Sequence, residues 1–321
     1  MDNIFYSIRN GKNPKYSYYL KSYFLRLLPL KAIYRKRLNK ILAQTDTRSD
    51  KNYINDRVNY YNRLAEPVKL PEGSPHLNEL KLQKKGKVYY FDSFEYLRYF
   101  PENLQWNYCF GDINFMPDTP SIVKSRPIHN QSANAILLNL NKVRHFIFVK
   151  DKIPFEKKMD KVIFRGKVNE GKTKRIAFFN KYFGNPLYDL GDTSRNGNPA
   201  WRTGKKTIAE HLRYKFILAL EGNDVASNLK WVMSSNSVAV MPRPEFETWF
   251  MEGRLIPNYH YIEIKPDFSD LEERIAHPDE AIEISRHANE YVSQFFDKKR
   301  EKLISLLVLQ KYFRKTGQLE Q

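Results

Sequence analysis

A single cysteine, Cys109, stands in 321 residues. One thiol excludes an intramolecular disulfide, argues against a cysteine-built zinc site, and points to a reducing compartment. Long apolar runs are also missing. Stretches such as Phe216–Leu220 and Leu306–Leu309 fall far short of the roughly 18 residues that span a bilayer. Met1–Gly11 has no apolar core of the kind an export signal needs. The expected location is therefore cytoplasmic or peripheral to a membrane. The seven histidines show no H-E-x-x-H or other metal-ligand spacing, and no Asp-x-Asp triplet occurs. No G-x-S-x-G elbow is present. Neither an α/β-hydrolase nor a P-loop NTPase is expected.

Positive charge, by contrast, is abundant. Lys and Arg number 54 against 36 Asp and Glu, a net charge of +18. Such a field attracts polyanions: nucleic acid, anionic lipid, phosphorylated glycolipid or nucleotide phosphates. It does not choose among them. The excess is concentrated in the first forty residues, which carry ten cations against one acid, Asp2. Tyr16, Tyr18, Tyr19, Tyr23, Phe24, Leu25, Leu27 and Leu28 are interleaved with those cations. Two readings fit this basic, aromatic, amphipathic extension over residues 1–45. Residues 12–40 suit an anionic membrane surface, or they form a helix packed on the body with its charges solvated. Pro29 is expected to kink or split that helix.

The remaining pattern is α/β. Residues 65–87 hold Pro67, Pro71, Gly73 and Pro75 and read as a connector. Val88–Phe91 reads as a strand and Ser93–Tyr99 as a short helix. Ala135–Leu140 and His145–Val149 read as buried strands. Lys161–Phe164 is a strand ending at Arg165-Gly166, and Lys174–Tyr182 a helix. Residues 184–206 read as a long irregular loop. Then comes an α/β rhythm: strands at Phe216–Leu220, Ser237–Met241 and Tyr261–Ile264, helices at Val225–Ser234, Glu245–Glu252 and Ser269–Ile275. Asp279–Tyr312 is mostly helical. The expected divisions are 1–45, 46–150, 151–290 and 291–321.

Two strand ends attract attention as sites. Phe216–Leu220 runs into Glu221-Gly222-Asn223-Asp224 and then a helix. Ligands bind beyond the carboxyl ends of such strands, and free N–H groups at a helix start suit phosphate. Phe164-Arg165-Gly166 is followed by Lys167, Lys172, Lys174 and Arg175, and an arginine at a strand end grips a diphosphate bidentately. A solvated basic loop is the plainer alternative. The acids Asp112, Asp118, Glu221, Asp224, Glu245, Glu247 and Glu252 are candidate bases or sugar ligands, though each also fits an ordinary cap or surface residue.

In order along the chain, these motifs resemble glycosyltransferase family 90. Those that carry the resemblance are Val162-Ile163-Phe164-Arg165-Gly166, Tyr214-Lys215-Phe216, Glu221 through Trp231, Ser237–Val240, Glu245–Phe250, Asn258–Ile262 and Asp267–Leu271. They span roughly Tyr89 to Phe296. The resemblance implies an α/β, GT-B-like fold: two Rossmann-like lobes facing across a cleft, here with a basic helical N-terminal extension and C-terminal helices. It implies an inverting, metal-independent transferase with no cofactor. This would move a hexose, glucose or galactose, from a UDP-sugar to a lipopolysaccharide core or related glycolipid acceptor. It places the catalytic base at Asp112, in the Gly111-Asp112 turn after the strand Trp106–Phe110. Donor contacts fall on Phe164, Arg165, Gly166, Arg175, Glu221, Gly222, Asn223, Ser227, Asn228, Lys230 and Glu247. The animal members carry arginines where this chain has Glu221 and Asn228, and Lys230 is the compensating cation expected here. Two other classes remain: a basic nucleic-acid-binding protein without catalytic activity, and an inactive relative acting as a scaffold. The leading reading expects no nucleic-acid partner.

Overall fold

A computed structural model describes residues 13–28, 31–82, 84, 86–130 and 132–320. Its strands, in chain order, are β1 (Tyr108–Cys109), β2 (Ser121–Val123), β3 (Ser125–Pro127), β4 (Ala135–Leu137), β5 (Met159–Gly166), β6 (Tyr188–Asp192), β7 (Tyr214–Leu218), β8 (Val238–Met241), β9 (Phe246–Thr248) and β10 (Ile262–Glu263). The chain divides into two units. One, the sheet unit, holds Arg144–Glu245 and Met251–Gln294, with Asn13 and Pro14. The other, the assembled unit, holds Lys15–Val143, Phe246–Phe250 and Phe295–Gln321.

The sheet unit is built on five parallel strands in the order β10-β8-β7-β5-β6. A parallel sheet is covered on both faces, so its strands read as continuous apolar runs. β8 is buried at every position, and β7 at all but Lys215. Helix Thr173–Tyr182 connects β5 to β6 and adds Phe178, Phe179 and Tyr182 to the core around Phe164, Phe216, Leu218 and Val240. Numbered by appearance, the strand order is 2-1-3-4-5. Such a sheet changes winding direction between its first and third strands, here β5 and β7. In sheets of this kind, ligands bind beyond the carboxyl ends of the strands at that point.

The assembled unit contains a three-stranded parallel sheet, β1-β2-β4, and the antiparallel pair β3-β9. Helices Lys51–Tyr61 and Lys298–Lys315, far apart in sequence, pack together in it. Buried charge joins its three chain segments. Arg57, fully buried, pairs with Glu301 and donates to Tyr61 Oη at 2.7 Å. Trp249 Nε1 donates to Glu301 at 2.6 Å, and its ring stacks on Tyr61 at 3.9 Å.

Several elements depart from the sequence reading. Lys87–Leu97 is one helix, not a strand followed by a helix. Its run of Tyr, Phe and Val is buried nearly all round, and a short apolar run does not distinguish buried helix from buried strand. Gly86, at φ +71, starts it. Residues 184–206 hold β6 and a single 3₁₀ turn, Pro199–Trp201. The Gly and Asp residues of Tyr188–Asp192 concealed that edge strand. Phe246–Thr248 is strand β9, not part of a helix, because Ser125–Pro127 supplies a ladder for it. Phe146–Val149 is not a strand. The helix expected at Val225–Ser234 covers only Leu229–Met233. Glu221–Asp224 closes on itself instead, with Gly222 N–H donating to Asp224 O at 3.0 Å. Helices Lys15–Leu27 and Lys31–Leu42 are separate, while Pro29 lies outside the described residues.

Candidate functional site

The carboxyl ends of β5 and β7 collect most of the expected donor residues. β5 ends at Gly166, and the chain then runs Lys167-Val168-Asn169-Glu170-Gly171-Lys172 into helix Thr173–Tyr182. Val168 N–H donates to Asp192 Oδ1 at 2.9 Å, which anchors the loop to the end of β6. Gly171 adopts φ +81, a backbone state that costs glycine little and other residues more. The helix has ten residues, no side-chain cap on its first N–H groups, and no acid in its first turn. Uncapped amides and the positive end of the helix dipole favour an anion.

Arg175, in that first turn, ties the two strand ends together. Its Nε donates to Glu221 O at 3.1 Å, Nη2 to Leu220 O at 2.8 Å and Nη1 to Lys167 O at 3.0 Å. Burial, with Arg144 adding like charge, pushes its guanidinium down to about 10. The group stays cationic at neutral pH. Phe164 lies beneath it, the ring centroid 5.4 Å from the guanidinium carbon. Gly222 passes so close that an added Cβ would sit 3.0 Å from Arg175 Nη2. Lys172 Nζ meets Asn223 Oδ1. Lys174 reaches Glu245 at 2.6 Å and Glu221 at 3.4 Å, and Glu221 also accepts from Glu245 N–H at 3.0 Å. Glu221 is thus held by a neighbouring cation. Asn228 lies at the end of β7, its Nδ2 donating to Leu218 O at 2.9 Å, and half-buried Ser227 precedes it in the turn.

Three expected donor residues lie elsewhere. Successive strand side chains point to opposite faces. Phe164 and Gly166 face the Thr173–Tyr182 helix, so Arg165 projects to the other face. Its Nη1 donates to Asp189 O at 2.7 Å, and Nη2 pairs with the Asp189 carboxylate. Burial works against the charge on Asp189, but bonds from Tyr214 and Arg165 and the nearby Lys206 hold its carboxyl below the ordinary range. Lys230 is fully buried and pairs with Glu252. Glu247 belongs to the assembled unit, also fully buried. One of its oxygens accepts from Arg126 Nε at 2.7 Å and Arg63 Nη2 at 3.0 Å, and the other from Tyr60 Oη.

Asp112 lies in the assembled unit beyond the carboxyl end of β1. Gly111 before it has φ +136. Ile113 after it exchanges hydrogen bonds with Ser125 Oγ at 3.2 Å. Lys124, buried beyond the end of β2, pairs with Asp112 Oδ1 at 2.5 Å. The carboxylate is about a quarter exposed, so it is both held and reachable. The sequence offered no pointer to Lys124 as its partner.

One signal at the ends of β5 and β7 was legible and missed. Residues 166–173 read G-x-x-x-x-G-K-T, the pattern of a phosphate-cradling loop between a strand and a helix. β5 and helix Thr173–Tyr182 supply that context. The ten-residue helix that starts at a strand end with this pattern is Thr173–Tyr182, after the first strand of the sheet. Expectation had put the phosphate-binding helix start after β7, where only five residues are helical.

The family model described as glycosyl transferase family 90 matches residues 138–315. The O-glucosyltransferase LpsA of Dichelobacter nodosus is 41% identical over 265 residues, 81% of this chain and 82% of that protein. Protein O-glucosyltransferase 1 of Rattus norvegicus is 26% identical over 153 residues, 43% of this chain and 38% of that protein.

Proposed function

Because the chain belongs to glycosyl transferase family 90 and is a glycosyltransferase, we propose that it moves glucose from UDP-glucose to a hydroxyl of a lipopolysaccharide core or related surface glycan. Inversion at the anomeric carbon, independence of metal, and the GT-B arrangement expected from the sequence belong to the same proposal. The names of the two relatives support glucose over galactose. The observation that carries the reading is the convergence of Lys172, Arg175 and the uncapped start of helix Thr173–Tyr182 at the carboxyl ends of β5 and β7.

The chemistry assigns each group a task. The Asp112 carboxylate removes the proton of the acceptor hydroxyl as its oxygen bonds to the sugar's anomeric carbon. The bond from that carbon to the UDP oxygen breaks, and the electron pair leaves with UDP. Lys172, Arg175 and the amides of residues 173–175 meet the charge growing on the diphosphate. Arg165 acts by position, holding β5 to β6.

A donor panel on truncated lipopolysaccharide tests this, with the linkage read by NMR. Turnover of UDP-glucose that survives EDTA is expected. Failure of UDP and every UDP-sugar to raise the melting temperature would sink the donor site.

A further inference from the structure

Helix Lys15–Leu27 has two unlike faces, both within the assembled unit. One face packs on helix Lys87–Leu97. Tyr18 Oη donates to Asp92 Oδ1 at 2.8 Å, Arg26 Nε to Tyr90 Oη at 3.1 Å and Lys87 Nζ to Tyr23 Oη at 3.3 Å. Tyr23 also sets its ring edge against Phe91, centroids 4.9 Å apart. The other face carries Tyr16, Leu20, Phe24 and Leu27, which are 82%, 60%, 59% and 76% exposed. Their spacing of i, i+4, i+8 and i+11 makes them a continuous stripe on a 3.6-residue helix. The helix buries no residue fully.

An exposed apolar stripe of this kind marks a binding surface, and charge identifies the partner. Residues 15–42 contain eight cations and no acid. Lys31 and Arg35 pair with Glu102, while Lys15, Lys21, Lys36, Arg37 and Lys40 are exposed. Ile33 on the next helix is 45% exposed. No helix among the described residues is long and apolar enough to cross a membrane. We propose that the Tyr16–Leu20–Phe24–Leu27 face is a membrane-docking surface, lying in the plane of an anionic lipid bilayer with the surrounding cations among the headgroups. Nucleic acid would use the cations and the rings of Tyr16 and Phe24 but leave Leu20 and Leu27 in water.

The test is co-sedimentation of the full chain with phosphatidylcholine vesicles, pure or with one quarter phosphatidylglycerol. Binding to the anionic vesicles only is expected. Leu20→Asp/Phe24→Asp should weaken it at least tenfold, and Lys36→Gln or Arg37→Gln about fivefold each. Leu20→Ser is a milder second variant, and circular dichroism melts confirm that all variants fold. Equal binding to neutral vesicles, or equal binding by the Asp variant, overturns the proposal. So does release from vesicles by a single-stranded oligonucleotide at matched phosphate concentration, which would make nucleic acid the partner. A lipid-free dimer that Leu20→Asp/Phe24→Asp dissolves would assign the face to a second copy, and also overturns it.

Discussion

The sheet unit and the assembled unit solve the same packing problem differently. In the sheet unit, residues 155–284 supply a hydrophobic core around one parallel sheet. Successive strands of this sheet are joined by crossovers of about twenty residues, and polar groups gather at the carboxyl ends of β5 and β7. The assembled unit joins three distant stretches of chain. Its junctions are buried ion pairs: Arg57 with Glu301, and Arg126 with Glu247. A buried pair is costly to break, because the survivor is left charged and dry. Equivalent-looking charged residues therefore have different uses in the two units. Those at the ends of β5 and β7 meet one another and backbone carbonyls within the sheet unit, whereas Glu247 serves as a fastener in the assembled unit.

That contrast is open to attack by mutation, beginning with the largest effect. Asp112→Asn should lower kcat by about 10²–10⁴ while UDP affinity, measured by calorimetry, stays within twofold. Unchanged turnover would remove Asp112 as the base. Glu247→Ala should cost about 3–5 kcal/mol of stability, read from urea unfolding, because Arg126 and Arg63 lose their partner. A shift in donor KM at unchanged stability would show that Glu247 contacts the donor after all. Arg165→Lys probes the same distinction within the sheet unit. It should lower stability by about 1–3 kcal/mol, through the lost bonds to Asp189, with donor affinity little changed.

A pH effect of similar size should appear in the sheet unit. His260 Nδ1 accepts from Ile256 N–H at 2.9 Å. Burial, with His287 adding repulsion, pushes this imidazole down to about 4. An unfolded histidine titrates near 6.5, so the unfolded chain binds more protons between those values. Stability is then complete above about pH 6.5 and falls as pH drops toward 4. The loss should be about 1–2 kcal/mol once solvent around exposed Tyr259 is allowed for. Urea midpoints at pH 7 and 4.5 measure it. The same drop in His260→Gln would assign it to other groups. The smallest effect is expected for Lys172→Ala, about fivefold weaker UDP binding at low salt. Equal affinity would place the diphosphate away from the loop.

Residue pattern foretold the sheet unit better than the assembled one. β5, β7 and β8 were legible because a parallel strand buried on both faces is an unbroken apolar run, and helix Thr173–Tyr182 follows the helical period. β6 was illegible because Tyr188–Asp192 contains Gly191 and two aspartates, the composition of a loop. β9 was illegible because Phe246–Thr248 is a strand only in the presence of Ser125–Pro127, about 120 positions away in the chain. Of the candidate site, Arg175, Gly222 and Asn223 were found at the strand ends that sequence indicated. The different setting of Arg165 required knowing the pleat of β5 and the register that puts Ile163 beside Asp189.

By itself the sequence determined the class of fold, the family and the loop of glycine and lysine after β5, since each depends on residues close together or in fixed order. Tertiary structure alone decided which charges face solvent and which are consumed in the interior. Glu247, Lys230 and Arg165 look no different from Glu221, Lys172 and Arg175 as letters in a chain. All six find partners far along the chain, and burial of the charged group beside an opposite charge makes internal ties of the first three. The other three gather where β5 and β7 end.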